Sequence, residues 1–321
     1  MMGSKYRETD LSKIKTISIR ERQSKVTVDQ FVDPASLFQD GNRPSRSDLR
    51  RLFPDILAGR DFAAVSSSLL RARDDGREIV WLVGAHVIKC GLSLYLRELM
   101  KERFITAIAT TGSAAIHDLE LAFHGETSED VAVELPAGRF GMARETAAYF
   151  ETACAAAAEG SLGLGEGIGA HIVDSPAPHS AHSVFAGAYQ ASVPATVHVA
   201  LGTDIVHQHP SFPGGTVGEL SMKDFRIFTS SVGRMFDRGA VVVFGSAVVL
   251  PEVFLKAVSV NYNLGMHPRA IMSASFDMMA QYRVSENILR RPFPSDCRRC
   301  AITGRHEIML PLLYLMLMSG E

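Results

Sequence analysis

The chain has 321 residues, of which 46% are apolar and 21% charged, and a formal net charge of −2. This is the composition of a soluble globular protein with enough chain to bury a large core. It supplies no basic field for nucleic acid or an anionic membrane surface. The longest apolar runs, "AVVVFGSAVVL" and "IMLPLLYLMLM", are far shorter than the roughly 20 residues that span a bilayer, so both read as core. No charged segment followed by an apolar stretch opens the sequence, which points to a reduced cytoplasm and free thiols for the four cysteines.

In chain order, residues 1–45 are polar and irregular, with turn chemistry in "DGNRPSRS", and read as an arm ahead of a single domain over 46–321. "RSDLRRLFPDIL" and "FAAVSSSLLRARDDG" are predicted helices, the second stopped by Gly76. "EIVWLV" is a strand buried on both faces. One helix is expected over "HVIKCGLSLYLRELMKER", then a strand, "FITAIA", and a helix, "SAAIHDLELAF". The stretch "GETSEDVAVELP" reads as a solvated loop. After an alanine-rich helix comes strand "PATVHVAL", then helix "LSMKDFRIFTSSVGRMFDRG". Strand "AVVVFG", helix "LPEVFLKAVSVNYNLG" and strand "RAIMSAS" follow. Strands alternating with helices across short connections predict an α/β fold with a parallel sheet covered on both faces. Ligands bind such sheets beyond the carboxyl ends of the strands.

Those ends direct attention to four turns. In "TTGS", Gly112 lets backbone N–H groups approach a ligand, and the helix N-terminus favours an anion; a tight strand-to-helix turn needing glycine has the same sequence. "FGSAV" repeats this logic at Gly245, Ser246 and Ala247. "VGAH" is the third turn. The fourth, "LGTDIVHQHP", carries Asp204, His207 and His209, an acid and two imidazoles that can orient an amine, relay a proton or bind a metal. "GLGEGIGA" matches a dinucleotide fingerprint in spacing, but follows a helix where that fingerprint follows a strand, and reads as a flexible loop. Cys297 and Cys300 have CxxC spacing in a Pro- and Arg-rich loop with no second pair, and incidental spacing is the better reading.

Two stretches resemble the deoxyhypusine synthase family. One is "EIVWLVGAHVIKCGLSLYLRELMKERFITAIATTGSAAIHDLE". The other runs from "VPATVHVALGTDIVHQHP" through "MKDFRIFTSSVGRMFDRGAVVVFGSAVVLPEVFLKAVSVNYNLG". Together they cover roughly residues 78–275 in the family's order. The resemblance implies a Rossmann-like doubly wound sheet, NAD as cofactor, a homotetramer, and a polyamine substrate whose aminobutyl group passes through an enzyme lysine. It places Gly84, Thr110, Thr111, Gly112, Asp118, Gly245, Ser246 and Ala247 around the cofactor, with His117 on the nicotinamide side. Asp204 would hold the substrate amine and His209 take its proton, with Asp277 as the one acid replacing a missing acidic loop. No metal ligand is implied.

The family's lysine falls on Leu250, which has no amine and forms no imine; Lys89 and Lys256 stand near candidate turns but do not align with it. The expectation is therefore an NAD-binding protein that oxidises or transfers from a polyamine-type amine without being a true deoxyhypusine synthase. Two alternatives stay open: a non-catalytic NAD-binding scaffold, and a metal-dependent hydrolase built on Asp204, His207 and His209.

Overall fold

A computed structural model of the chain describes residues 9–31, 33 and 45–320; the "DGNRP" part of the arm lies outside the described residues. The elements run β1 (Ser24–Thr27), α1 (Arg46–Arg51), α2 (Leu57–Asp74), β2 (Ile79–Val83), α3 (Ala85–Lys89), α4 (Ser93–Lys101), β3 (Ala107–Thr111), α5 (Gly112–His124), β4 (Glu126–Glu129), α6 (Val131–Glu134), α7 (Arg144–Glu159), α8 (Leu164–Asp174) and α9 (Val184–Gln190). They continue as β5 (Ala195–His198), α10 (Gly214–Met235), β6 (Ala240–Phe244), α11 (Val249–Asn263), β7 (Met272–Asp277), α12 (Tyr282–Val284), β8 (Arg298–Thr303) and α13 (His306–Met318).

Six parallel strands make the central sheet, in the order β5-β3-β2-β6-β7-β8. The chain enters at β2, builds outward through β3 to β5, then returns to β2's other side and builds β6, β7 and β8. That is the doubly wound order in which the winding reverses between the first and fourth strands, here β2 and β6. The α/β architecture expected from the alternation of elements is the one observed.

Side chains on β2 alternate across the sheet. Ile79, Trp81 and Val83 join a core with α2, α4, α5, α8 and α13. Val80 and Leu82 join a second core with α11 and the C-terminal half of α10. Trp81, Phe244 and Phe276 stack near-parallel across β2, β6 and β7, with centroids 5.3 and 4.5 Å apart. The indole N–H donates to the Phe104 carbonyl at 3.0 Å, so the single tryptophan is satisfied within the core. Among the described residues no helix is long and apolar enough to cross a membrane.

Several local expectations give way to packing. The helix over 86–103 is two, α3 and α4, because Gly91 turns left-handed with φ +74°. "GLGEGIGA" is no loop but the start of α8. A Cβ on Gly165 would lie 2.2 Å from the Ala195 carbonyl oxygen and one on Gly167 2.2 Å from the Ala157 Cβ, so these glycines serve close packing. The charged stretch 125–136 is not solvated throughout. It forms β4 and α6, with Thr127, Glu129 and Glu134 buried. β4 pairs antiparallel with β1, which lays the described part of the arm along the domain. Cys297 and Cys300 are free and buried, Cys300 on the added strand β8, and burial raises both thiol pKa values, that of Cys300 to about 11.

At the reversal point β2 and β6 end back to back. The Gly84 N–H donates to the Phe244 carbonyl at 2.9 Å, and a Cβ on Gly84 would stand 2.0 Å from the Gly245 carbonyl oxygen. Neither backbone can retreat without breaking strand pairing. Gly84→Ala should therefore cost about 1–3 kcal/mol, the usual range for overpacking, read as a lower urea midpoint. An unchanged midpoint would show that the two turns are not in this contact.

Candidate functional site

The site is built where β3 and β5 end. β3 stops at Thr111 and Gly112 opens α5. The loop after β5 carries Asp204 back over that turn, so that a Cβ on Gly112 would stand 2.1 Å from Asp204 Oδ2. The Ser113 N–H donates to the carboxylate, which fills the anion position at the helix N-terminus with the chain's own group. Burial nevertheless raises the Asp204 pKa to about 6, against that hydrogen bond. His207 holds the loop: its Nδ1 accepts the N–H groups of Gly202 and Asp204, both at 3.0 Å, while Asp204 caps the turn through the His207 N–H.

Beneath Asp204 lies a cavity of ≈ 180 Å³. Arg22, Lys89, Ser113, His117, Glu120 and Asp204 give it its polar wall; Ile116, Val131, Phe140 and Ile205 give it an apolar one. Arg22 comes from the arm, Lys89 from the end of α3, and His117 and Glu120 from one face of α5, three residues apart.

The proton positions on His117 follow from its neighbours. Glu120 is fully buried, and although burial works against it, the Arg22 guanidinium holds its pKa below the usual range, so it is ionised and only accepts. It takes hydrogen bonds from Arg22 Nη1 at 2.8 Å, from Thr146 Oγ1 at 2.7 Å and from the Thr127 hydroxyl. With its single proton committed to Glu120, Thr127 Oγ1 can only accept from His117 Nδ1, 2.7 Å away. His117 is therefore the Nδ1–H tautomer, with the Nε2 lone pair free of this relay. Burial pushes its pKa down to about 4, against the pull of Glu120, and keeps the ring neutral at pH 7.

Other expected site residues lie elsewhere. His209 is buried and its Nε2 sits 2.8 Å from the Gly141 carbonyl, a donation to the backbone that leaves that nitrogen no lone pair for a substrate proton. Asp118 is fully buried and accepts from the Ser183 hydroxyl and from the Val184 and Phe185 N–H groups. It caps α9. Thr110 is inside the sheet, its hydroxyl on the Thr196 carbonyl at 3.1 Å, whereas Thr111 is half-exposed and shares a hydrogen bond with Ser113. Gly84 is buried against Gly245, so it has no face toward a ligand. Asp277 is at the end of β7, away from the residues lining the cavity, with Oδ1 on the Met278 N–H at 2.7 Å. Leu250 is fully buried in the core beneath α11, so a lysine there would point into the sheet packing. Of the two other lysines, Lys256 is exposed and paired with Glu252, while Lys89 lines the cavity.

A second polar region occupies the reversal point. Gly245 turns with φ +63°, and Ser246 and Ala247 lead to α11, whose N-terminus has no side-chain cap. His306, at the start of α13, covers Gly245: a Cβ there would meet its ring at 2.8 Å. His306 is 1% exposed, with its ring against the Gly245 turn and close to the Phe276 carbonyl. His86 of α3 packs edge-on against it, 5.6 Å between centroids. α3 thus links the two regions, with His86 at the reversal point and Lys89 at the cavity. Among the described residues no three His, Cys, Asp or Glu side chains gather in a group that could hold a metal. His207 and His209 are turned to different backbone partners.

No family model matches the chain, and no curated protein sequence is similar to it. Solved structures do match. AgrE, in a ternary complex with ornithine and NAD+, aligns at 14% identity and a TM-score of 0.53 over 86% of this chain and 34% of its own. ArgZ, an arginine dihydrolase from the ornithine-ammonia cycle in cyanobacteria, aligns at 15% identity and 0.50 over 79% and 32%. A proposed deoxyhypusine synthase from Entamoeba histolytica aligns at 14% and 0.48 over 86% and 93%. The chain spans about a third of the length of AgrE and ArgZ, and what it shares with them is the fold.

The missed members of the site are Arg22, Glu120 and Thr127, and on the other side His306. Glu120 carried a signal, its three-residue spacing from His117. Arg22 carried none, because an isolated arginine in a polar arm looks solvated. Long-range nitrogen NMR of the imidazoles tests the relay. We expect His117 as the Nδ1–H form with a titration midpoint near pH 4, and loss of that tautomer preference in Thr127→Val. An Nε2–H form, or a midpoint near 6.5, would dismantle the relay.

Proposed function

We propose that the chain is an NAD-binding protein that oxidises, or transfers from, a small amine held in the cavity at the ends of β3 and β5. One observation carries this: a closed set of titratable groups beside the reversal point of a doubly wound sheet, with α3 reaching both. The residues there suit a dinucleotide on the β6 side. Gly245, Ser246 and Ala247 lead into an uncapped helix N-terminus, and the buried His306 ring lies against the same turn. On the β3 side Asp204 already occupies the anion position, so a pyrophosphate belongs at α11 and not at α5. AgrE, of the same fold, carries NAD+ and ornithine, which supports the cofactor and the amine without establishing either here.

When bound, the nicotinamide supplies a hydride acceptor. The chain's own groups do the remainder. Asp204, once ionised, holds the substrate ammonium. His117 presents a neutral Nε2 as acceptor for a proton leaving the nitrogen. The apolar wall of Ile116, Val131, Phe140 and Ile205 limits water. None of this needs an amine at Leu250. Transfer through an enzyme lysine would have to use Lys89, which lines the cavity.

NADH fluorescence should change on adding the full chain and saturate with protein. No change would end the cofactor reading and leave a fold without its dinucleotide.

Asp204 sets the pH dependence. Its carboxyl pKa is raised, so the charged form that grips an ammonium is lost as pH falls through about 6. Amine affinity should rise from pH 5 to 7 and level off above, and Asp204→Asn should lower it at least tenfold and flatten the profile. Titration calorimetry across that range decides it; a pH-independent affinity would remove Asp204 from the site.

A further inference from the structure

At the other edge of the sheet, away from the cavity beneath Asp204, arginines from three elements share one recess. Arg50 of α1, Arg60 and Arg71 of α2, and Arg298, the first residue of β8, line a space of ≈ 360 Å³ in which Asp55 is the one acid. All four arginines are exposed and so within reach of a ligand. Positions 60, 63, 64, 67 and 71 fall on one face of α2, and the short side chains of Ala63, Ala64 and Ser67 lie between the two arginines along it.

The fold does not answer these charges. Asp55 pairs with Arg60 at 3.4 Å. Arg50, Arg71 and Arg298 have no carboxylate within ion-pairing distance among the described residues. Two of the groups are nevertheless oriented. Arg60 donates from Nε and Nη2 to the Asp55 carbonyl at 3.0 and 2.6 Å, and Arg71 donates from Nη2 to the Ser68 hydroxyl at 3.2 Å. The chain as a whole carries a charge of −2, so four guanidinium groups facing one carboxylate are a local excess. Like charges gathered in a recess focus the field and raise the local concentration of counter-ions.

We propose that the recess between α1, α2 and β8 binds a small anion of linked phosphate groups, at a site separate from the amine and dinucleotide sites above. Guanidinium groups grip phosphate oxygens in pairs. A single phosphate, at about −2 charge, leaves part of the surplus in place. Arg60 and Arg71 also start roughly 16 Å apart along the helix, at ~1.5 Å per residue. A short phosphate chain answers the charge and spans the distance. A long polyanion is disfavoured, because the neighbouring recess of ≈ 400 Å³, which shares Arg71 and Arg298, carries Asp75 and Asp296.

Titration calorimetry of the full chain at pH 7.5 compares inorganic tripolyphosphate with orthophosphate and citrate. Tripolyphosphate should bind at one site per chain, at least tenfold more tightly than either. ATP binding more tightly still assigns the phosphates to a nucleotide; equal or weaker binding assigns them to the inorganic chain. Arg71→Gln and Arg298→Gln should each lower tripolyphosphate affinity at least fivefold. Arg226→Gln, at an exposed arginine of α10 outside the recess, should leave it unchanged. All three side chains are exposed, and circular dichroism checks that the variants fold. No binding, or citrate as tight as tripolyphosphate, overturns the proposal. So does an affinity that Arg71→Gln and Arg298→Gln leave intact, because the anion then sits elsewhere, as at the N-terminus of α11. An equal loss in Arg226→Gln overturns it too, since the attraction is then diffuse.

Discussion

The buried Arg22–Glu120 ion pair is the contact on which the candidate site depends. Glu120 sits in the middle of α5 with no solvent, so its charge exists only because three donors, one of them a guanidinium, surround it. Those donors come from the arm, from β4 and from α7, and the one carboxylate fixes all three against α5. A pair of this kind is weak evidence for net stability, because desolvation offsets much of the attraction. Losing one partner, however, strands the other at a cost of ~3–5 kcal/mol. Its consequence here is geometric. It sets the tautomer of His117 through Thr127 and holds Arg22 in the cavity wall.

The two glycine turns at the sheet's carboxyl edge show how one sequence pattern serves different physics. "TTGS" and "FGSA" both place glycine and small residues between a buried strand and a helix. At the first, the space that glycine leaves is taken by Asp204, and α5 has its anion. At the second it is taken by the His306 ring, beside a helix that has no cap. The first turn is therefore closed by the chain's own carboxylate, and the second leaves its helix N-terminus without an anion of the chain.

The fold was legible because its signals are local and strong. "EIVWLV" and "AVVVFG" are continuous apolar runs, and α2 and α11 carry their own stops at the left-handed Gly76 and Gly265. The two strand-end turns and the pair Asp204 and His117 were legible for the same reason. What escaped is set by tertiary contact. His209 and Asp118 have the chemistry of catalytic groups, yet each is engaged by partners that only the folded chain supplies. The glycines of "GLGEGIGA" look like flexibility and are instead the price of close helix packing against Ala195 and Ala157. "GETSEDVAVELP" looks solvated until β1 pairs with it and buries Glu129. Arg22, 98 residues from Glu120 in sequence, has no local signature at all.

The arm's position does not rest on Arg22 alone, and this matters for the chemistry proposed. The Ile17 N–H and carbonyl bond to Met142 and Arg144, Glu145 receives the Ser18 hydroxyl and the Ile19 N–H, and the β1–β4 ladder continues the attachment to Thr27. Contacts thus flank Arg22 on both sides along the chain. A guanidinium held in this way has little freedom left to lose, so the cavity wall it forms is preorganised. The same attachment means that residues ahead of the sheet are part of the site. A doubly wound domain beginning at α2 would keep the sheet, Asp204 and His117, but would lose the cation that holds Glu120 charged beside Thr127 and His117.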